Sequence, residues 1–250
     1  MLSFLKPRPM IGLAIDDNNC YFLQAIPSQG DESVTYQTGV AQSVELAEAL
    51  KSWVSRVGWR TPAVRLSLSA KIMCQTVVPF PTHFSDHDRE IAIQMHLSHY
   101  FPDASHPLSF DYCFLNRIED QDYYYLMAVP TTVIQSYYFL LKKIGWKLSC
   151  VEIDICVLLR FLSAKPPFNL IYLDHFKKYQ LNVKNNDIFF QNNVHSQINM
   201  SGNTYLMGDP IVCQTLTLEG EFINPLAGTH LDYHFLVPFG LLLDTIYVKY

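Results

Sequence analysis

Asp16 and Asp17 stand side by side and are followed by Asn18 and Asn19. Two adjacent carboxylates can act as an acid/base pair or organise a metal ion. On an exposed turn between two apolar runs they are more simply solvated turn residues. Asp174 follows another apolar run, where it can cap a turn or ligate a metal. Nine histidines include His83 and His87, four apart, and the pairs His96/His99 and His230/His234, each of which can share a helix face. No glutamate completes an H-E-x-x-H signature, and no further histidine or cysteine stands at a zinc-closing distance. The expectation is surface histidines and no metal. Six cysteines form no C-x-x-C pair and sit mostly in apolar runs, which reads as buried thiols in a reducing compartment. No nucleophile–base pair or hydrolase signature is legible.

The composition narrows the classes further. Of 250 residues, 49% are apolar, 14% aromatic and only 16% charged, so the chain folds rather than staying disordered. The net charge of −5 argues against a broad basic surface for nucleic acid. The tyrosine and aromatic clusters at 123–125 and 137–139 lack the interleaved Arg and Lys of a stacking platform. No run of about 18 uncharged apolar residues exists, so no membrane-spanning helix is expected. The N-terminus carries Pro7 and Pro9 with no apolar run behind them, unlike a signal peptide. A cytoplasmic protein without direct membrane insertion is the expectation.

The elements that must position these residues read as follows. Residues 11–15 and 20–26 form a hairpin around the Asp16–Asn19 cluster, and 34–38 adds a strand. Ser43 caps a helix over 44–57, with Leu46, Leu50, Trp53, Val54 and Val57 inward. Residues 64–69 and 72–78 read as partner strands, and Pro79 and Pro81 break the pattern. Ser85 caps the next helix, with Asp86 and Asp88 in its first turn and Ile91, Met95 and Leu97 on its inner side. Strands follow at 110–115 and 123–129; along the second, alternation buries Tyr124 or its neighbours but not all three. A helix over 131–144 closes at Gly145, with a strand at 146–153 and a helix at 155–163. Beyond Pro166-Pro167 come strands at 169–173, 179–183, 188–191 and 205–207, then a helix from about 233 to 243 with Pro238 near its start. Two halves that each open with a hairpin form a pseudo-repeat, which predicts an α/β fold with mixed sheets.

Several of these segments, in this order, resemble the actin/FtsA-like PilM family of type IV pilus assembly proteins. Ile11-Gly12-Leu13-Ala14-Ile15 with its polar turn is similar to that family's opening. Tyr100-Phe101-Pro102 and Leu108-Ser109-Phe110-Asp111-Tyr112 stand where it has Y-I-P-F and L-D-F. Val129-Pro130, Gly145-Trp146, Val151-Glu152-Ile153-Asp154 and residues 235–241 continue the match. The resemblance implies an actin-like (ribonuclease H-like) fold in two parts. The first half is 1–164 with an inserted subdomain at about 79–151, and 165–250 is a reduced second half. The shortness resembles the members called ComA and HofM.

The resemblance also implies a nucleotide site, and here the residues depart from the pattern. Ala14 replaces the acidic position, Asp16 a glycine, and Asp17, Asn18 and Asn19 the serines. In the second loop Asp174 survives, while Phe176 stands for a glycine, and the Gly-Gly of the third element has become Gly208-Asp209. Carboxylates repel phosphate and Phe176 adds bulk, so ATP and Mg²⁺ binding is disfavoured and no enzyme is expected. What the resemblance implies instead is a scaffold that binds the N-terminal cytoplasmic tail of an inner-membrane PilN-like partner within a pilus or competence complex. A type II secretion GspL-like adaptor and a working actin-like ATPase are the alternatives. For the tail, an apolar groove is expected beside the insertion, from Pro79, Met95, Tyr100, Phe101, Pro102, Phe110 and Tyr112.

Overall fold

The computed structural model describes residues 9–15, 19–27, 34–57, 61–69, 74–100, 107–162, 167–173, 178–184, 187–192, 203–215 and 220–247. In chain order the first elements are β1 (Met10–Ile15), β2 (Asn19–Pro27), β3 (Val34–Gln42), α1 (Leu46–Val57) and β4 (Ala63–Leu68). Then come β5 (Cys74–Pro81), α2 (Asp86–Tyr100), β6 (Leu108–Ile118), β7 (Gln121–Pro130), α3 (Thr131–Lys143), β8 (Lys147–Ile153) and α4 (Asp154–Leu159). The chain continues through β9 (Phe168–Leu173), β10 (Lys178–Lys184), β11 (Asp187–Asn192), β12 (Asn203–Gly208), α5 (Pro210–Thr215), β13 (Glu221–Phe222) and α6 (Leu236–Tyr247).

Two five-stranded sheets have the orders β3-β2-β1-β4-β8 and β11-β10-β9-β12-β13. Each contains two antiparallel pairs followed by two parallel ones: β3/β2, β2/β1, β1/β4 and β4/β8 in the first, and β11/β10, β10/β9, β9/β12 and β12/β13 in the second. This repeated meander-then-crossover pattern is the duplicated ribonuclease H-like sheet of the actin-like fold. The three-stranded sheet β5-β7-β6 is inserted between β4 and β8. By contacts the chain divides into two compact units, Met1–Ser69 with Gln135–Leu162 and Pro225–Tyr250, and Ala70–Ile134 with Ser163–Asn224. The boundary expected at 164/165 falls among residues outside the described set.

In the first unit the central strands are buried on both faces, which is why β1 and β4 read as apolar runs. α1 turns Leu46, Leu50 and Trp53 inward, with Trp53 edge-on to Phe22 at 4.9 Å between ring centroids. α6 lies so close to β1 that a Cβ on Gly12 would stand 2.2 Å from the Pro238 carbonyl oxygen. Pro238 sits in the first turn of α6, where its missing N–H costs no helical bond. Arg65 Nη1 donates to the Leu241 carbonyl at 2.9 Å and Arg160 Nη1 to that of Gly240 at 3.2 Å, tying the helix to the sheet. Gly145 has φ +79° and ends α3 as expected.

Several expectations are corrected. Residues 72–78 do not pair with 64–69: β4 lies between β1 and β8, and β5 pairs with β7. An apolar run shows that a strand is central but not which strand it joins. The strand does not stop at residue 78: β5 runs through Pro79 and ends on Pro81, which it can do because it is an edge whose missing N–H groups no ladder needs. Ser43 caps no α-helix. It opens a 3-10 turn, Ser43–Glu45, whose N-cap residue Gln42 makes no side-chain bond, and it accepts a long contact from Cys20 Sγ at 3.7 Å. Not all three tyrosines of 123–125 are buried, as expected, since Tyr123 is half-buried; but the adjacent Tyr124 and Tyr125 both are, because β7 is the central strand of its sheet. α5 and β13 were not anticipated: at six and two residues they are too short for periodicity to register.

Candidate functional site

Each five-stranded sheet carries a hairpin whose tip is a candidate phosphate-type loop. In the first, Ile15 pairs with Cys20, so residues 16–19 join β1 to the part of β2 paired with it. Asp16, Asp17 and Asn18 themselves lie outside the described residues; Asn19 is half-buried and opens β2 opposite Gln42. In the second, Leu173 pairs with Lys178 around residues 174–177, so Asp174 and Phe176 also lie outside the described residues.

Gly208 is fully described. It ends β12 with φ +111°, and a Cβ there would meet the Leu173 carbonyl oxygen at 2.0 Å. The next N–H, that of Asp209, donates to the same oxygen at 2.7 Å. Asp209 is buried, and its Oδ1 accepts from Ile211 N at 2.8 Å, closing the start of α5. Glycine is required by this close approach, and the Asp209 carboxylate is committed to backbone. The first unit has a parallel feature at Asp154, to which the sequence analysis gives no role. Asp154, the first residue of α4 directly after β8, is buried and accepts from Ile155 N at 2.8 Å. An aspartate directly after a strand, opening a helix, was the available signal.

The insertion is built around α2. Its start is a capping box: Ser85 Oγ accepts from Asp88 N at 3.2 Å while Asp88 Oδ2 accepts from Ser85 N at 3.0 Å. The Ser85 hydroxyl, which also donates to Asp88 Oδ2 at 2.6 Å, and then the Ser85 N–H hold the Asp88 carboxyl below its ordinary value. The inward stripe is Ile93 and Leu97, 0% and 3% exposed, against Val78, Phe80, Tyr124, Leu126 and Ala128. Leu97 is inward as expected, but Ile91 and Met95 face solvent at 45% and 69%. Phe110 and Tyr112 share one face of β6, as period two requires, and both pack on this core, Tyr112 edge-on to Tyr124 at 5.6 Å. Asp111 is exposed on the other side.

The described residues of the expected groove have different surroundings. Met95 and the exposed Pro79 are available, Phe110 and Tyr112 are part of the packing that seats α2, and Tyr100 is the last residue of α2. Phe101 and Pro102 lie outside the described residues.

At the far end of the hairpin, Arg117 Nε donates to Asp122 Oδ1 at 2.6 Å and Nη2 to Oδ2 at 3.2 Å. This two-pronged bond holds the buried Asp122 carboxyl below its ordinary value, against the opposing effect of burial. Arg89 stacks over Tyr124 at 5.2 Å and pairs with Asp86. His96 is half-buried; burial, then the neighbouring His99, holds its imidazole below the usual value. His230 and His234 do not share a helix: His234 is in a 3-10 turn, stacked on Tyr21 at 4.9 Å, and His230 precedes it. Among the described residues no three His, Cys, Asp or Glu side chains gather as metal ligands. Cys20 is buried, but Cys150 is exposed, contrary to expectation, because it lies on edge strand β8. Its sulfur is nonetheless partly shielded from water, and that desolvation, then Glu152, pushes the thiol up.

No protein-family model matches the chain, and no curated protein matches it by sequence. Solved structures do. The chain is similar to a component of a PilM–PilN type IV pilus biogenesis complex at 14% identity, over 96% of this chain and 99% of that one, with a TM-score of 0.69. It is also similar to the cytoplasmic domain of EpsL, an inner membrane component of the Vibrio cholerae type II secretion system. That match has 11% identity, covers 95% and 99% of the two chains, and has a TM-score of 0.53. With the duplicated sheet order, these likenesses define the class: the chain has the actin-like fold with an insertion in its first half and a short second half. Among the described residues no helix is long and apolar enough to cross a membrane.

Proposed function

We infer that this chain is a non-enzymatic adaptor of the PilM kind, a short ComA- or HofM-like member serving a type IV pilus or competence machine. The observation that carries this reading is the end-to-end likeness to the PilM–PilN structure, which leaves neither chain with a large unmatched part. Its partner in this reading is the N-terminal cytoplasmic tail of a PilN-like inner-membrane protein, which holds the adaptor at the cytoplasmic face. The topological halves are 1–164, with the insertion at about 79–151, and 165–250. The tail site centres on the end of α2, with Met95, Tyr100, Phe101 and Pro102 as anchors and Pro79 at the entry to the insertion. Phe110 and Tyr112 support it from beneath.

The nucleotide site is degenerate in this reading. Gly208 and Asp209 support that, since the Asp209 carboxylate and N–H are both engaged by the protein itself. The charges at 16 and 17 and the bulk of Phe176 act in the same direction. The likeness to EpsL favours a second reading, a GspL-like adaptor of type II secretion. Co-purification separates the two. The chain is expected to be retained by a detergent-solubilised PilN-like protein and lost when that protein's N-terminal tail is deleted. Retention by inner-membrane components of a type II secretion system instead would favour the second reading.

A further inference from the structure

Sheet edges expose unpaired backbone groups, and most edges here carry a device against further pairing. β5 has Pro79 and Pro81. β6 has Asp111 and Arg117 and a register break between Phe114 and Asn116. β8 has the exposed Lys147, the Glu152–Arg160 ion pair and a register shift against β4. β11 begins on Asp187, and β13 is two residues long. β3 differs from all of these. Its nine residues, Val34–Gln42, contain no charge and no proline. All nine pair with β2 in unbroken register, so the strand is long and regular. Among the described residues no strand covers its outer edge. Val40 is 55% exposed on this strand, beyond the cover of the Tyr36–Phe239 contact.

We propose that β3 is a dimer seam, pairing antiparallel with β3 of a second copy across a two-fold axis to join two five-stranded sheets. The occupant follows from charge. The chain carries a net −5, but β3 is a strip without charge, so pairing it with β3 of a second copy sets no like charges directly opposite each other. A charged partner segment would find no counter-charge on it. Full overlap of nine residues places Thr38 opposite Thr38 and sets Tyr36 opposite Val40. That is an aromatic–β-branched cross-strand pair, and it covers the exposed valine. One strand pair is a small interface, so the dimer is concentration-dependent, with dissociation on the order of tens to hundreds of micromolar.

The test is sedimentation equilibrium on the full chain over roughly 10–500 µM, a range that brackets a small interface. Wild type is expected to move from monomer to dimer. Thr38 is exposed, so Thr38→Lys and Thr38→Glu should leave the fold intact by circular dichroism. Each alone should weaken dimerisation by more than about tenfold through like-charge opposition, and an equal mixture should restore it. Hydrogen exchange on wild type needs no variant: alternate amides of 34–42 should gain protection with concentration. A wild type that stays monomeric overturns the proposal. So does a dimer indifferent to both charges, or a β3 edge that is protected only when another protein is added.

Discussion

Gly208→Ala separates two costs that usually arrive together. Gly208 has φ +111°, and an added Cβ would stand 2.0 Å from the Leu173 carbonyl oxygen and 2.8 Å from its carbon. Holding an alanine at such a φ costs about 1–2 kcal/mol. The overlap is with backbone, which cannot rotate away, and forcing β9 and β12 apart adds about 1–3 kcal/mol. The sum, about 3.5 kcal/mol, lowers the Tm by roughly 7–14 °C in a domain of this size. Gly145 supplies the comparison. Its φ of +79° is also unfavourable for alanine, but nothing lies within 4 Å of the added Cβ, so Gly145→Ala should lose only about 3–6 °C. Thermal melts followed by circular dichroism measure both. If Gly208→Ala melts within 2 °C of wild type, or if the two variants fall equally, the β9–β12 closure described above is wrong.

Leu126→Ala removes the fully buried centre of the insertion core and should cost about 2–5 kcal/mol in urea unfolding; a loss under about 1 kcal/mol would mean that α2 is not seated there. Stability should fall with acid in two stages. His96 has a folded pKa below its unfolded value near 6.5, so the unfolded chain takes up that proton first, and stability declines as pH drops below about 6.5. Asp122 has a lowered folded pKa, so its contribution is present above the unfolded value near 3.8 and is lost as pH falls through the folded one. His96→Gln should flatten the first stage and Asp122→Asn the second; unchanged profiles would refute the two assignments. Calorimetry with ATP and Mg²⁺ should show no micromolar binding. A dissociation constant near 1 µM, about −8 kcal/mol, would restore the enzyme reading.

Much of the fold is legible in the sequence because its strands are apolar runs bounded by turn residues. The paired hairpins Met10–Ile15 with Asn19–Pro27 and Phe168–Leu173 with Lys178–Lys184 mark the duplicated halves without any tertiary information. Which strands pair across a distance is not legible: nothing local tells Ala63–Leu68 to lie between Met10–Ile15 and Lys147–Ile153. The phase of α2 is hidden for another reason. Ile91, Ile93, Met95 and Leu97 alternate along the chain, so two helical stripes compete, and only the sheet beneath selects Ile93 and Leu97. The glycine of Gly208-Asp209 is visible as a residue type, but the carbonyl it approaches is thirty-five positions away, at Leu173.

The adaptor reading is tested most directly by titrating a fluorescent peptide, the N-terminal tail of the PilN-like partner, with the purified chain. Saturable binding is expected, and Tyr100→Ala or Phe101→Ala should weaken it by about 1–3 kcal/mol, roughly 5- to 150-fold, while the melting curve stays unchanged. A wild-type chain that does not bind the tail, or variants that bind it as well as wild type does, would contradict the account.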